Sequence, residues 1–206
     1  MAETLYPHSL AAFWQRRPPQ RIIVVGPSGS GKSTLATRLG RLLDCQSTDI
    51  DDLFWQPNWQ GRGDPELREA LSAAVAGERW VLAGNYSRTQ DISWPRAELV
   101  IWLDFSLPRV FARVVRRCLS RSWRREMICN GNYESLRMTF FSRESLLLWV
   151  LNSHKRMHER YLARLGDPTA PPILWLKSPA QVRRLEEQIW LLERGQSQRD
   201  GKSSGI

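Results

Sequence analysis

The sequence predicts a three-layer α/β fold: a five-stranded parallel sheet covered by helices on both faces, with an arginine-rich helical lid. Three observations carry this expectation. Short apolar, β-branched runs alternate with longer amphipathic segments along the chain. A glycine-rich segment joins the first such run to the first amphipathic one. The chain has 206 residues, 42% hydrophobic and 25% charged, which suits one domain with a sizeable core.

Taken in order, residues 1–20 read as an N-terminal extension, polar apart from residues 10–14 and ending in Arg17-Pro18-Pro19. Arg21-Ile22-Ile23-Val24-Val25 is apolar without alternation, as in a parallel strand buried on both faces. A helix follows over 32–43, then a second strand over 45–48. Asp64-Pro65-Glu66 opens another helix, with Asp64 as its cap and Pro65 where a missing N–H does no harm. Residues 80–83 and 99–103 give the third and fourth strands. Helices are expected over 107–122 and 140–165, a fifth strand over 173–176 and a closing helix over 179–193. The domain is thus expected to span 21–194, with a lid over roughly 120–140 and a disordered tail over 195–206.

Composition narrows the setting. No apolar run nears the roughly 18 residues that span a membrane. The start lacks the basic and apolar regions of a secretory signal, so a cytoplasmic protein is expected. Cys45, Cys118 and Cys129 are scattered, without metal-ligand spacing, and read as reduced thiols. The net charge is +9, and arginine supplies 26 of the 30 basic residues. Such a surface suits nucleic acid or a site that handles phosphates, because guanidinium matches phosphate oxygens.

The chemistry begins at Gly26-Pro27-Ser28-Gly29-Ser30-Gly31-Lys32-Ser33-Thr34, which satisfies GxxxxGK[ST] between a predicted strand and a predicted helix. A phosphate chain must lie against bare backbone so that several N–H groups face its oxygens, and glycine allows the approach. The helix N-terminus favours negative charge. Lys32 reaches the β and γ oxygens, the Ser33 hydroxyl ligates Mg²⁺, and Thr34 caps the helix or touches the α-phosphate. Gly26, Ser28, Gly29, Ser30, Gly31, Lys32, Ser33 and Thr34 are therefore the expected nucleotide-binding residues, with ATP and Mg²⁺ as the ligands.

Asp49 and Asp51 follow the second strand, at the sheet edge where open α/β folds bind ligands. One carboxylate is expected to hold Mg²⁺ and is assigned to Asp49, with Ser33. The other, Asp51, positions an acceptor hydroxyl or takes its proton. After the third strand, Gly84 leaves room for a ligand and Arg88 is placed to clamp an anionic group. Trp55 is the aromatic residue expected to touch the acceptor, whereas Trp80, Trp102 and Trp175 belong to the core. The helix over 107–122 carries Phe111, Val114, Val115 and Cys118 on one side and a row of arginines on the other. Arginines before an irregular segment suit a lid that closes on a triphosphate and neutralises transition-state charge. With Lys32, Arg117 and Arg121 are the expected catalytic residues.

These segments, GPSGSGKST, DIDDLFW (49–55), AGNYSRT (83–89) and LVIWLDFSLPRVFARVVRR (99–117), together resemble adenylate-kinase-like P-loop proteins of the DNA topology modulation protein group, over residues 21–190. The resemblance implies the nucleoside-monophosphate-kinase fold, ATP and Mg²⁺ binding, Asp51 and Arg88 on the acceptor side, and Arg113 or Arg117 near the lid hinge. One departure stands out: relatives usually carry an acid before the glycine of GNYSRT, and here that residue is Ala83. The expected function is transfer of the ATP γ-phosphoryl group to a small acceptor. The alternative is a nucleotide-dependent regulator or nucleic-acid binder with weak turnover, which the charge and Ala83 favour. No Asn-Lys-x-Asp guanine-reading element is present.

Overall fold

The computed structural model describes residues 4–84, 86–124, 127–133 and 146–203. In chain order the elements are β1 (Thr4–Leu5), α1 (Leu10–Arg16), β2 (Arg21–Val25), α2 (Lys32–Leu42), β3 (Gln46–Asp49), α3 (Ile50–Phe54), β4 (Trp55–Gln56), β5 (Gln60–Gly61), α4 (Asp64–Ala74), β6 (Trp80–Ala83), α5 (Gln90–Ser93), β7 (Leu99–Leu103), α6 (Leu107–Arg124), β8 (Met127–Ile128), β9 (Asn132–Tyr133), α7 (Leu146–Leu165), β10 (Ile173–Leu176) and α8 (Pro179–Ser203).

The main sheet has six strands in the order β1-β10-β7-β2-β6-β3, and every neighbouring pair is parallel. That is one strand more than the sequence predicts. The addition is β1, in the segment read as a polar extension. Three large side chains hidden among its polar residues explain this: Leu5, Leu10 and Trp14 are fully buried. Leu10 and Trp14 share one face of α1. That face packs against α8, where the Trp14 indole donates to Glu193 Oε1 at 3.1 Å.

Alternate residues of β2 enter two hydrophobic clusters. Ile22 and Val24 join Leu35 and Leu39 of α2, Val110, Val114 and Cys118 of α6, and Leu185 and Ile189 of α8. Ile23 and Val25 join Ile50 of α3, Leu71 of α4 and Tyr161 of α7, with Trp80 and Trp102 from neighbouring strands. The sheet is therefore covered on both faces, and burying each such aliphatic side chain contributes about 1.5–3 kcal/mol.

Several boundaries shift for local reasons. α4 is capped by Gly63 rather than Asp64, and the Asp64 carboxylate instead pairs with Arg88 at 2.7 Å. α8 continues past Gly195, where the sequence reading began a tail. Of the expected lid, the described part comprises the end of α6 and the β8–β9 hairpin; residues 125–126 and 134–140 lie outside the described residues. Among the described residues, no helix is long and apolar enough to cross a membrane.

Candidate active site

The loop between β2 and α2 is held open by packing. Gly26, Gly29 and Gly31 have positive φ of 155°, 80° and 95°. At Gly26 a Cβ would lie 2.8 Å from the Leu103 carbonyl, and at Gly29 it would lie 2.6 Å from Val114 Cγ2 and 2.9 Å from the Val110 carbonyl. These two glycines let β7 and α6 press on the loop from outside. Gly31 differs: a Cβ there would meet nothing nearer than Arg113 Nη1 at 3.9 Å. It caps α2 in the left-handed region, and no side chain at that position caps the first-turn N–H groups. Ser30 Oγ is buried and unpartnered.

Asp49 ends β3 and caps α3, accepting from the Asp51 N–H at 3.0 Å. Burial raises its carboxyl above the usual carboxylate range and Asp51 adds to this; the Ser33 hydroxyl and the Lys32 ammonium pull the other way. Asp49 is thus brought to the first turn of α2, beside Ser33 and Lys32. A hydroxyl and a carboxylate next to an open anion cradle fit Mg²⁺, which binds one or two protein oxygens and completes its shell with phosphate and water. Ala83 lies next to Asp49 in the β3–β6 register and is buried.

On the acceptor side, the Tyr86 hydroxyl donates to Asp51 Oδ1 at 2.8 Å. Burial, with Asp51 beside it, pushes the phenol far up, so it stays a donor. Arg88 stacks over Phe54 at 4.8 Å while it pairs with Asp64. Trp55 packs edge-on against Phe54 and Trp59. The clearance expected over Gly84 is taken by Ile50, whose Cγ2 would lie 2.4 Å from a Cβ there. Gly84 therefore serves the packing of α3, with Lys32 Cε just beyond.

The lid arginines reach the loop from α6. Arg113 Nη1 donates to the Ser30 carbonyl at 3.1 Å, and Arg117 Nη2 lies 3.4 Å from Ser28 Oγ. Arg121 is one turn further on and half-buried. Asp104, at the end of β7, is turned away: its carboxylate accepts from His158 Nδ1 at 2.9 Å and Trp175 Nε1 at 2.9 Å.

The sequence reading missed a latch. Asn132, 3% exposed, accepts from the Trp59 N–H at 2.7 Å and donates to the Gln56 carbonyl at 2.9 Å. Asn130 donates to the Asp52 and Trp55 carbonyls, both at 2.7 Å. The β8–β9 hairpin is thereby tied to the β4–β5 hairpin. It also brings Cys129 against Asp52; burial first, then Asp52, Asp51 and Asp49, push that thiol up to about 12. The Asn130-Gly131 pair was the available signal, since Asn-Gly favours a tight hairpin turn.

No protein-family model matches the chain. A curated shikimate kinase from Corynebacterium diphtheriae (strain ATCC 700971 / NCTC 13129 / Biotype gravis) is 33% identical over 101 residues, covering 41% of this chain. The match spans only 57% of that relative's length. Among solved structures, shikimate kinase from Bacteroides thetaiotaomicron superposes with a TM-score of 0.50 at 16% identity, over 87% of this chain and 99% of that one. Shikimate kinase from Acinetobacter baumannii in complex with shikimate gives 0.50 at 14% identity, over 90% of this chain and 98% of that one. The chain has the α/β P-loop kinase fold.

Proposed function

We propose that the protein is a phosphotransferase that binds ATP with Mg²⁺ and passes the γ-phosphoryl group to a hydroxyl of a small acceptor. The observation that carries this reading is the juxtaposition of an open cradle at Gly31, the Ser33–Asp49 pair and Arg113 on one side of the α2 N-terminus. The resemblance to the DNA topology modulation protein group is part of the same proposal, as is the kinship with the shikimate kinase.

In this reading, backbone N–H groups of residues 29–33 bind the β-phosphate and Lys32 spans the β and γ oxygens. Ser33 and Asp49 would hold Mg²⁺, which would neutralise phosphate charge. Asp51, oriented by Tyr86, takes the acceptor proton as its oxygen attacks phosphorus. The β–γ bridging P–O bond breaks and ADP departs. Arg117, and Arg121 once the lid closes, stabilise charge on the transferred group. Arg113 seats α6 on the loop. Trp55 and Arg88 border the acceptor.

The test is ATP turnover with Mg²⁺ across nucleosides, nucleoside monophosphates, sugars, polyols and shikimate, with Lys32→Ala as control. An acceptor that raises turnover well above the rate with water alone, and loses it in Lys32→Ala, is the expected result. ATP binding with no stimulation by any acceptor would refute the kinase reading.

A second reading, nucleic-acid binding, draws on α6. Trp123 is 91% exposed, on the same outer stripe as the exposed Arg109 and Arg116. It requires binding to single-stranded oligonucleotide that weakens steeply with salt.

A further inference from the structure

An open cleft of about 420 Å³ lies at the carboxyl ends of β7 and β10, against α7, and the kinase reading leaves it unused. That volume is within the range of small-molecule sites. Three parts of the chain line it. Asp104 and Ser106 follow β7, Lys177 follows β10, and His154, Lys155 and His158 lie along α7.

Trp175 of β10 organises these side chains. Its indole N–H donates to Asp104 Oδ2 at 2.9 Å, and its ring carries the Lys177 ammonium 3.8 Å from the centroid. The Asp104 side chain is 12% exposed and also accepts from His158 Nδ1 at 2.9 Å. An ionised carboxylate only accepts, so the His158 proton sits on Nδ1, and Nε2 is the atom this ring can offer a ligand. His154 is fixed in the same way, with Nε2 donating to the Phe105 carbonyl at 2.8 Å. Two imidazoles on one helix face are thus held in set orientations beside a cleft.

The charges decide the sign of the ligand. Lys155 and Lys177 line the cleft with one carboxylate, Asp104, whose oxygens are shared between His158 and Trp175. Glu159 lies 3.8 Å from Lys155, in an exposed contact that water screens. A second proton on His158 would add a positive charge beside Asp104 and turn Nε2 into a donor.

We propose that this cleft is a second ligand site, which takes a small molecule through an oxyanion group: a carboxylate, sulfate or phosphate. Lys177 supplies charge, protonated His158 donates from Nε2, and Asp104 is the positioning residue that aims the ring. Binding takes up a proton, so affinity falls as pH rises through the imidazole range. The site adjoins the phosphate loop without belonging to it. Phe105, whose carbonyl holds His154, carries the Arg113 guanidinium 5.6 Å from its ring centroid, and Arg113 donates to the Ser30 carbonyl.

Sulfate is the probe, because its charge stays constant between about pH 6 and pH 8, so any pH dependence reports the protein. The chain has three histidines, His8, His154 and His158, so imidazole nitrogen resonances of histidine-labelled protein read the cleft directly. Titrations are run against chloride at matched ionic strength. Sulfate is expected to shift the His158 resonances in the millimolar range, about fivefold or more weaker near pH 8 than near pH 6. Lys177→Met, at an exposed position, keeps an apolar stem for Trp175 and is expected to weaken binding about fivefold or more with Tm unchanged. Lys32→Ala is expected to keep the full response. His158 resonances that answer sulfate and chloride alike, or a response unaltered in Lys177→Met, would overturn the site. A response lost in Lys32→Ala would place the anion in the ATP cradle and overturn a separate site. Affinity independent of pH would overturn the part given to His158.

Discussion

Replacing Ala83 by aspartate tests whether Asp49 stands where a metal ion would bind. The two residues are register partners on adjacent parallel strands, and their side chains share a face of the sheet. Neighbouring strands lie about 4.8 Å apart, so the new carboxylate would sit about 5 Å from that of Asp49. At an effective dielectric near 20, two unit charges at that distance repel by about 3 kcal/mol. Ala83 is 1% exposed, so water offers little screening. For a chain of this size, that repulsion corresponds to a fall in Tm of roughly 6–12 °C. A divalent ion between the carboxylates would turn repulsion into coordination. The assay is thermal unfolding of both proteins, with and without Mg²⁺ and an ATP analogue. Wild-type stability of Ala83→Asp without Mg²⁺ would refute the placement of Asp49. A deficit that Mg²⁺ fails to narrow would refute its role as a metal ligand.

Other perturbations probe the frame around the site. Gly29→Ala forces a Cβ onto Val114 and the Val110 carbonyl at positive φ, so urea unfolding should show a loss of about 2–3 kcal/mol, with weaker ATP binding as α6 is pushed off the loop. Asn132→Ala leaves the half-buried Trp59 N–H and the Gln56 carbonyl without this partner, at about 1 kcal/mol each; amide exchange should rise across residues 55–61 while β2 stays protected. Glu98 has its carboxyl lowered overall: burial raises it, but the Gln20 N–H, Arg21 and Arg17 outweigh that. A depressed folded-state value means that the unfolded chain binds more protons at acid pH. The stabilisation is therefore complete above the ordinary glutamate range and is lost as pH falls through the lowered value. Glu98→Gln should cost about 1–2 kcal/mol at neutral pH, and its unfolding curve should converge with wild type in acid.

The donor half of the site was legible because its chemistry is contiguous. One loop supplies the cradle, Lys32 and Ser33, and the residues before and after it announce a strand and a helix by pattern alone. Asp49 was legible for a related reason, since it ends a neighbouring strand at the same sheet edge. What escaped depends on partners far apart in sequence. β1 is two residues long, and its Leu5 shares a core cluster with Leu10 and Trp14, whose apolar spacing was visible but whose partner helix α8 begins more than 160 residues later. The Asn132–Trp59 latch joins residues 73 apart.

The same distinction governs what each half reveals about function. ATP is recognised largely by backbone, so a local motif is enough to expect it. An acceptor is recognised by side chains that elements distant in sequence bring together. Arg88, read alone, was a clamp for an anion. In the fold it pairs with Asp64 and stacks on Phe54. Nothing local to Arg88 distinguishes these roles, because α4 supplies its partner. The reading of Arg88 therefore turns on a tertiary pairing, which Asp64→Asn removes without touching the phosphate cradle.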